Sequence, residues 1–213
     1  MKHFLVTFLL AVSVQAADKS TKPAAKAKAP VSAAAEVKTE APKGESVVFK
    51  ATEGKTEFLA IGKPSMIKIN GEAQGPEGTL TASKNSLSGT VKVDLNQLTT
   101  KIDLRDDHMK NKYLEVSKFP EATLEFVNLQ LPTDFATLSD KETEVPFTGK
   151  FTMHGKTSDV TGTAKVARIA THVAGHAQFA FKITNHLDTL PSWLGVKVAE
   201  DVTVKVQLKG LVQ

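Results

Sequence analysis

Two groups of residues in this sequence are of types that do chemistry. The first is Arg105-Asp106-Asp107-His108, a guanidinium, two carboxylates and an imidazole in consecutive positions. Consecutive side chains on a helix point about 100° apart, so the carboxylates and the imidazole do not converge on one metal ion or one substrate atom. The residues suit a structural task instead: negative charge in a first helical turn, a pairing of Arg105 with a carboxylate, and anchoring of a short helix. The second group is His172 and His176, which flank Val173-Ala174-Gly175. If those three residues form a hairpin tip, the two imidazoles face each other at its rim as the start of a metal-dependent enzyme site, with His154 as a remote third candidate. Two histidines without a third placed ligand make a weak site. No catalytic residue and no metal is therefore assigned, and the chain is read as a non-enzyme.

The element that holds the first group is a short helix expected over about 104–113. Asp103 is the expected N-cap, with a carboxylate three residues later at the capping-box spacing. Phe119-Pro120 must lie beyond its end, because proline has no N–H and drives the residue before it toward extended geometry.

Almost everything else alternates with a period of two, the signature of half-buried strands. Strands are expected at 47–51, 57–61, 66–72, 79–83, 87–95 and 122–131, with a polar connection over 132–145. In the C-terminal half Phe147, Phe151 and Met153 oppose Thr148, Lys150, Thr152 and His154, and Val160, Ala164 and Val166 alternate with Thr161, Thr163 and Lys165. Phe179, Phe181 and Ile183 alternate with Gln178, Lys182 and Thr184, and Val202, Val204, Val206 and Leu208 with Thr203, Lys205, Gln207 and Lys209.

About eight antiparallel strands, each with one apolar face, hide that face and their edges together by closing into a barrel, whose interior is filled by side chains or holds one narrow ligand. A sandwich is the other closure. An outer-membrane barrel alternates too, but with its apolar face outward and aromatic girdles at both interfaces. One Trp, one Tyr and central lysines on the polar faces (Lys92, Lys150, Lys182, Lys205) argue against it. The fold class is therefore all-β, a barrel with one short helix near its opening.

The N-terminus reads as a sorting signal. Lys2 precedes an apolar run of eleven residues, 4–14, and Val14-Gln15-Ala16 places small residues where signal peptidase needs them. Cleavage after Ala16 and a periplasmic or secreted location follow. Eleven apolar residues fall short of the roughly 20 that cross a bilayer. With no cysteine, neither a lipid-bearing cleavage site nor a disulfide is available. Residues 17–46 contain no aromatic, Leu or Ile, carry prolines at 23, 30 and 42, and read as a disordered Ala/Lys/Pro linker. The remaining residues, 47–213, form one domain. The formal charge of +4 becomes +3 without Lys2, and removing the linker's six lysines and four acids leaves about +1. A nearly neutral domain with no basic stripe is not a nucleic-acid binder.

One further pattern narrows the reading. Leu98-Thr99-Thr100, then Leu104-Arg105-Asp106-x-His108-Met109, then Tyr113-Leu114, then Phe119-Pro120-x-Ala122-Thr123-x-x-Phe126 resembles the signature of the YceI-like family of exported, lipocalin-like polyisoprenoid-binding proteins. The resemblance runs from about residue 64 to the C-terminus. It implies a barrel that binds or ferries a long apolar lipid, such as a polyisoprenoid, an isoprenoid quinone or a polyprenyl phosphate, with no cofactor beyond that bound lipid. Under it the tunnel is lined by Phe126, Phe151, Met153, Phe179, Phe181, Ile183, Trp193 and Val204. Taken alone, such residues equally fill a core, which would leave a cell-envelope structural or interaction protein. The chain departs from the family pattern at Tyr113-Leu114, where a paired aromatic is common, and at Leu190-Pro191-Ser192-Trp193-Leu194-Gly195, where Arg with Phe-Gly is common. Trp193 is the candidate gate at the tunnel mouth. Whether two chains pair as a homodimer is left open by the sequence.

Overall fold

A computed structural model of the chain describes residues 44–64 and 67–213. The expected signal peptide, residues 17–43 of the expected linker and the start of the strand expected at 66 lie outside them.

The strands are β1 (Glu45–Phe49), β2 (Lys55–Lys63), β3 (Ile67–Gln74), β4 (Glu77–Ser83), β5 (Ser86–Asp94), β6 (Glu121–Gln130), β7 (Thr143–Met153), β8 (Lys156–Ile169), β9 (His172–Lys182), β10 (Ser192–Trp193) and β11 (Val196–Val212). β1 opens at Glu45, so Glu45 and Ser46, read as the end of the linker, are paired strand facing Ala82 and Thr81.

All pairings are antiparallel. β11 is long enough to serve two strands on one side: Val212 faces Val47 of β1, and Gln207 faces Lys55 of β2. β1 and β2 thus lie end to end, interrupted by a 3-10 turn at Ala51–Glu53. β3 and β4 likewise follow one another across Gly75-Pro76, β3 pairing β2 and β4 pairing β1. Counting each broken pair as one stave, eight staves close into a ring. The expected closed barrel is what forms. β3 and the segment after β5 splay apart, and their seam is held by Glu72 and Thr99, whose N–H groups each donate to the other's carbonyl at 2.8 Å.

Closure follows from patterning. In β9 every second residue is buried without a break, Val173 to Phe181 inward and His172 to Lys182 outward. Apolar side chains point into the barrel, with Lys205, Gln207 and Lys209 outside. Among the described residues no helix is long and apolar enough to cross a membrane.

The two ends of the barrel differ. One end is plugged. The stretch expected as a polar connection carries Phe135, 2% exposed, in a 3-10 turn (Phe135–Thr137) tucked into the barrel. The Arg168 guanidinium lies 4.7 Å over its ring, donates to its carbonyl at 3.3 Å and pairs with Glu45. The other end is crossed by a helix, α1 (Asp103–Asp107), continuing into a π-helical turn at His108–Tyr113. The expected helix is present, but its N-cap is Ile102, with Asp103 inside the first turn and no side-chain cap.

Candidate functional site

Beneath that helix the barrel is hollow. A cavity of about 430 Å³ occupies the open half, within the range of roughly 300–1,000 Å³ usual for small-molecule sites. The hollow arises from unequal walls. On one side β7 and β9 project Phe151, Met153, Phe179 and Phe181 inward; on the staves to either side, Ala60 of β2 and Ala122 of β6, the latter on the strand paired with β7, are too short to fill the space in front of them. Phe151 lies 4.7 Å from Phe181 and 5.3 Å from Phe179 between ring centroids, a continuous aromatic wall. Phe58 adds a ring from β2. It lies flat because its neighbour is Gly71, where a Cβ would sit 2.1 Å from the ring.

Of the residues expected to line a tunnel, Phe151, Met153, Phe179, Phe181, Ile183, Trp193 and Val204 line this cavity. Phe126 does not. It points inward but lies deeper, 5.0 Å from Phe147, where the rings fill the barrel toward its plugged end. Alternation fixes which side of a strand a residue faces and not its depth: Phe126 faces inward as expected but lies below the cavity.

Among the described residues, the ionisable side chains that line the hollow, Arg105, His108 and Tyr113, all come from its lid. Asp106, 8% exposed, accepts from the Thr99 hydroxyl at 2.6 Å, from the Thr100 N–H at 2.8 Å and from the Thr100 hydroxyl. Burial pushes its carboxyl up, but the hydrogen bonds from Thr100 and Thr99 outweigh burial and hold it below the usual carboxylate range. Arg105 donates to the Thr100 hydroxyl at 2.8 Å and to the Thr100 carbonyl at 3.0 Å. The expected pairing of Arg105 with a carboxylate is therefore replaced by a relay in which Thr100 joins the two charges. Anchoring holds, through Asp106. His108 also lines the cavity, and its buried Nδ1 has no hydrogen-bond partner among the described residues.

The lid is fastened at two further points. The Tyr113 hydroxyl donates to the Ser192 carbonyl at 2.9 Å and accepts from its N–H at 3.0 Å. Glu115, in left-handed backbone at φ 45, meets His154 Nε2 at 3.0 Å, and the His154 ring stacks at 4.4 Å on Phe119. Its carboxyl is held low by Lys118 first and His154 second. The aromatic wall has its own support in His186, which nothing in the sequence singled out and which ties the segment after β9 to the β7–β8 hairpin. It is fully buried; its Nδ1–H donates to the carbonyls of Lys156 at 2.9 Å and Met153 at 3.2 Å, and Nε2 accepts from the Ser158 hydroxyl at 3.0 Å. Burial pushes this imidazole below its ordinary pKa, against the opposing effect of the two carbonyls. Fixed neutral, it supports Phe151 and Phe181, 5.2 and 5.4 Å away.

The rim expected around His172 and His176 does not form. Val173-Ala174-Gly175 is not a hairpin tip but the start of β9, and the chain turns earlier, at Ala170-Thr171. Four residues along a strand separate the two histidines by about 13 Å. His154 lies at the opposite end of the barrel.

A family model for the YceI-like domain matches residues 41–210. The fold is similar to a polyisoprenoid binding domain from Saccharophagus degradans implicated in plant cell wall breakdown, with a TM-score of 0.62 and 17% identity, covering 78% of this chain and 98% of that one. It is also similar to BcnA of Burkholderia cenocepacia (TM-score 0.60, 17% identity, 76% and 98% covered) and to the YCEI protein of Campylobacter jejuni (0.54, 13%, 68% and 85%). No curated protein matches the sequence. The eight-stave barrel, its lid motif and the match over most of its length show that this chain belongs to the YceI-like family.

Proposed function

We propose that this protein binds a long apolar lipid of the polyisoprenoid class, such as an isoprenoid quinone or a polyprenyl phosphate, in the open half of its barrel and carries it without chemistry. The observation that carries the reading is the cavity of about 430 Å³ behind an aromatic wall, in a barrel sealed at its other end. The name of the Saccharophagus degradans domain, a polyisoprenoid binding domain of the same fold, supports the ligand class.

The size fits a short stretch of hydrocarbon. At the roughly 30 Å³ taken by a water-sized group, such a cavity encloses on the order of 14 methylene-sized groups, about three isoprene units. Burying them is worth on the order of 10 kcal/mol before ordering costs, at about 0.8 kcal/mol per CH₂. A longer chain would continue out through the mouth.

The same proposal takes residues 1–16 as a cleaved signal, residues beyond them as a tether, and the barrel as a periplasmic or secreted carrier. Two measurements test it. Organic extraction of the purified protein followed by mass spectrometry yields a stoichiometric isoprenoid, and the intact mass from a periplasmic fraction begins at Ala17. Protein free of lipid that also fails to quench Trp193 emission on titration with an isoprenoid quinone would defeat the ligand reading. A retained residue 1 would defeat the export reading.

A further inference from the structure

We infer that the cavity mouth is a docking surface for a bilayer bearing anionic lipid headgroups, made by the end of β2 at Lys63, the start of β3 at Ile67 and the β10–β11 hairpin. The inference goes beyond cargo binding and holds whether or not the cavity is loaded.

Leu194 carries the argument furthest. It occupies the tip of the β10–β11 hairpin in left-handed backbone, φ 47, and is 80% exposed. A turn of this kind, followed by Gly195 at φ 79, favours Asn, Asp or Gly at its first position, and a bulky aliphatic there is both conformationally disfavoured and wet. Neither folding nor solubility accounts for it. Beside it, Ile67 at the start of β3 is 47% exposed, and both side chains border the cavity with Trp193 and Val196.

The charges around this apolar tip have one sign. Lys63 and Lys197 are direct cross-strand partners, an arrangement that destabilises a sheet through like-charge repulsion. With Lys68 they form no ion pair among the described residues. Neither residues 60–70 nor residues 190–198 contain an acid. On the outer wall Lys92, Lys150, Lys165 and Lys182 each face a carboxylate, while Lys205 and Lys209 form no ion pair among the described residues; what sets the mouth apart is that its unpaired lysines lie beside an exposed apolar tip. An exposed apolar tip with an adjoining Trp, ringed by uncompensated lysines, matches an interfacial membrane contact, in which apolar groups enter the headgroup boundary and lysines meet phosphate. The occupant is therefore a lipid surface with negative headgroups, and the opening of the cavity faces it.

The test uses the full chain and vesicles of phosphatidylcholine, alone or mixed with phosphatidylglycerol. The protein sediments with the mixed vesicles at low salt and far less with neutral ones. Emission from Trp193, the sole tryptophan, shifts to the blue with the mixed vesicles. Leu194→Asn, which suits left-handed backbone, and the pair Lys63→Gln with Lys197→Gln each weaken sedimentation about tenfold or more while the thermal midpoint stays at or above that of the parent. Should a variant fold poorly, quenching of Trp193 by spin-labelled lipid in the parent protein decides the same point. No sedimentation with mixed vesicles, binding untouched by either variant, or binding without a change at Trp193 would overturn the inference.

Discussion

The hydroxyl of Tyr113 grips both backbone groups of Ser192, donating to its carbonyl at 2.9 Å and accepting from its N–H at 3.0 Å. The two residues are 79 positions apart, and the clasp joins the end of the helix to the hairpin that carries Trp193. Tyr113→Phe keeps the ring and removes both bonds. At about 0.5–1.5 kcal/mol each, and partly recovered by water, the loss lowers the melting midpoint by roughly 2–5 °C. The larger effect falls on the mouth: release of a bound isoprenoid quinone, followed through Trp193 emission, becomes faster in the variant.

Asp106 is the internal anchor of the lid. Asp106→Ala strands the Thr100 N–H and frees the Arg105 charge from its relay, at a cost of about 2–4 kcal/mol measured by urea denaturation. Asp106→Asn recovers only part of this, because an amide must turn its NH₂ away from the Thr100 N–H. Its carboxyl is held low in the native state, so its contribution is complete above the unfolded-state value of 3.8 and disappears as the pH falls below it.

His186 provides a second pH dependence, at milder acidity. Its native imidazole resists protonation while the unfolded one titrates near 6.5. Below that value the unfolded state takes up a proton that the native state refuses, so stability is lost as the pH falls from 6.5 toward the depressed native value and is unaffected above it. Denaturation midpoints of the parent decline through this window. In His186→Asn, which is less stable at neutral pH, the decline is shallower, and the difference between the two curves isolates His186 from the other histidines.

What was legible in the sequence was geometry of period two. The alternation at Phe179 and Phe181, the stop at Phe119-Pro120 and the motif around Arg105 were enough to give strands, helix, closure and family. What was not legible depends on where a connection folds back. Asp106 finds its donors in Thr99 and Thr100, which precede the helix, so its partners are set by a chain reversal and not by helical spacing. Phe135 lies in a segment of polar composition, yet one ring closes the end of the barrel. His186 occupies a niche made by the β7–β8 hairpin, a contact across 30 residues that leaves no local mark. His172 and His176 show the converse: the hairpin tip on which their meeting was conditional, Val173-Ala174-Gly175, lies within β9.

Depth along the barrel, the property that alternation does not encode, separates two substitutions that look alike on paper. Phe126→Ala removes a ring from the filled half, where Phe147 packs against it at 5.0 Å, and costs about 3–5 kcal/mol because the surroundings cannot close over the void. Ala60→Phe adds a ring in the hollow half, where Ala60 is buried yet borders the cavity. In a packed core that insertion would cost about 1–3 kcal/mol or more. With about 430 Å³ in front of it, the new ring has room, so stability changes by less than about 1 kcal/mol in either direction, while capacity for an isoprenoid quinone falls sharply. Urea denaturation of both variants with a quinone titration of the second checks the contrast. Ala60→Phe as damaging as Phe126→Ala would mean that the space beneath the lid is not available to a ligand.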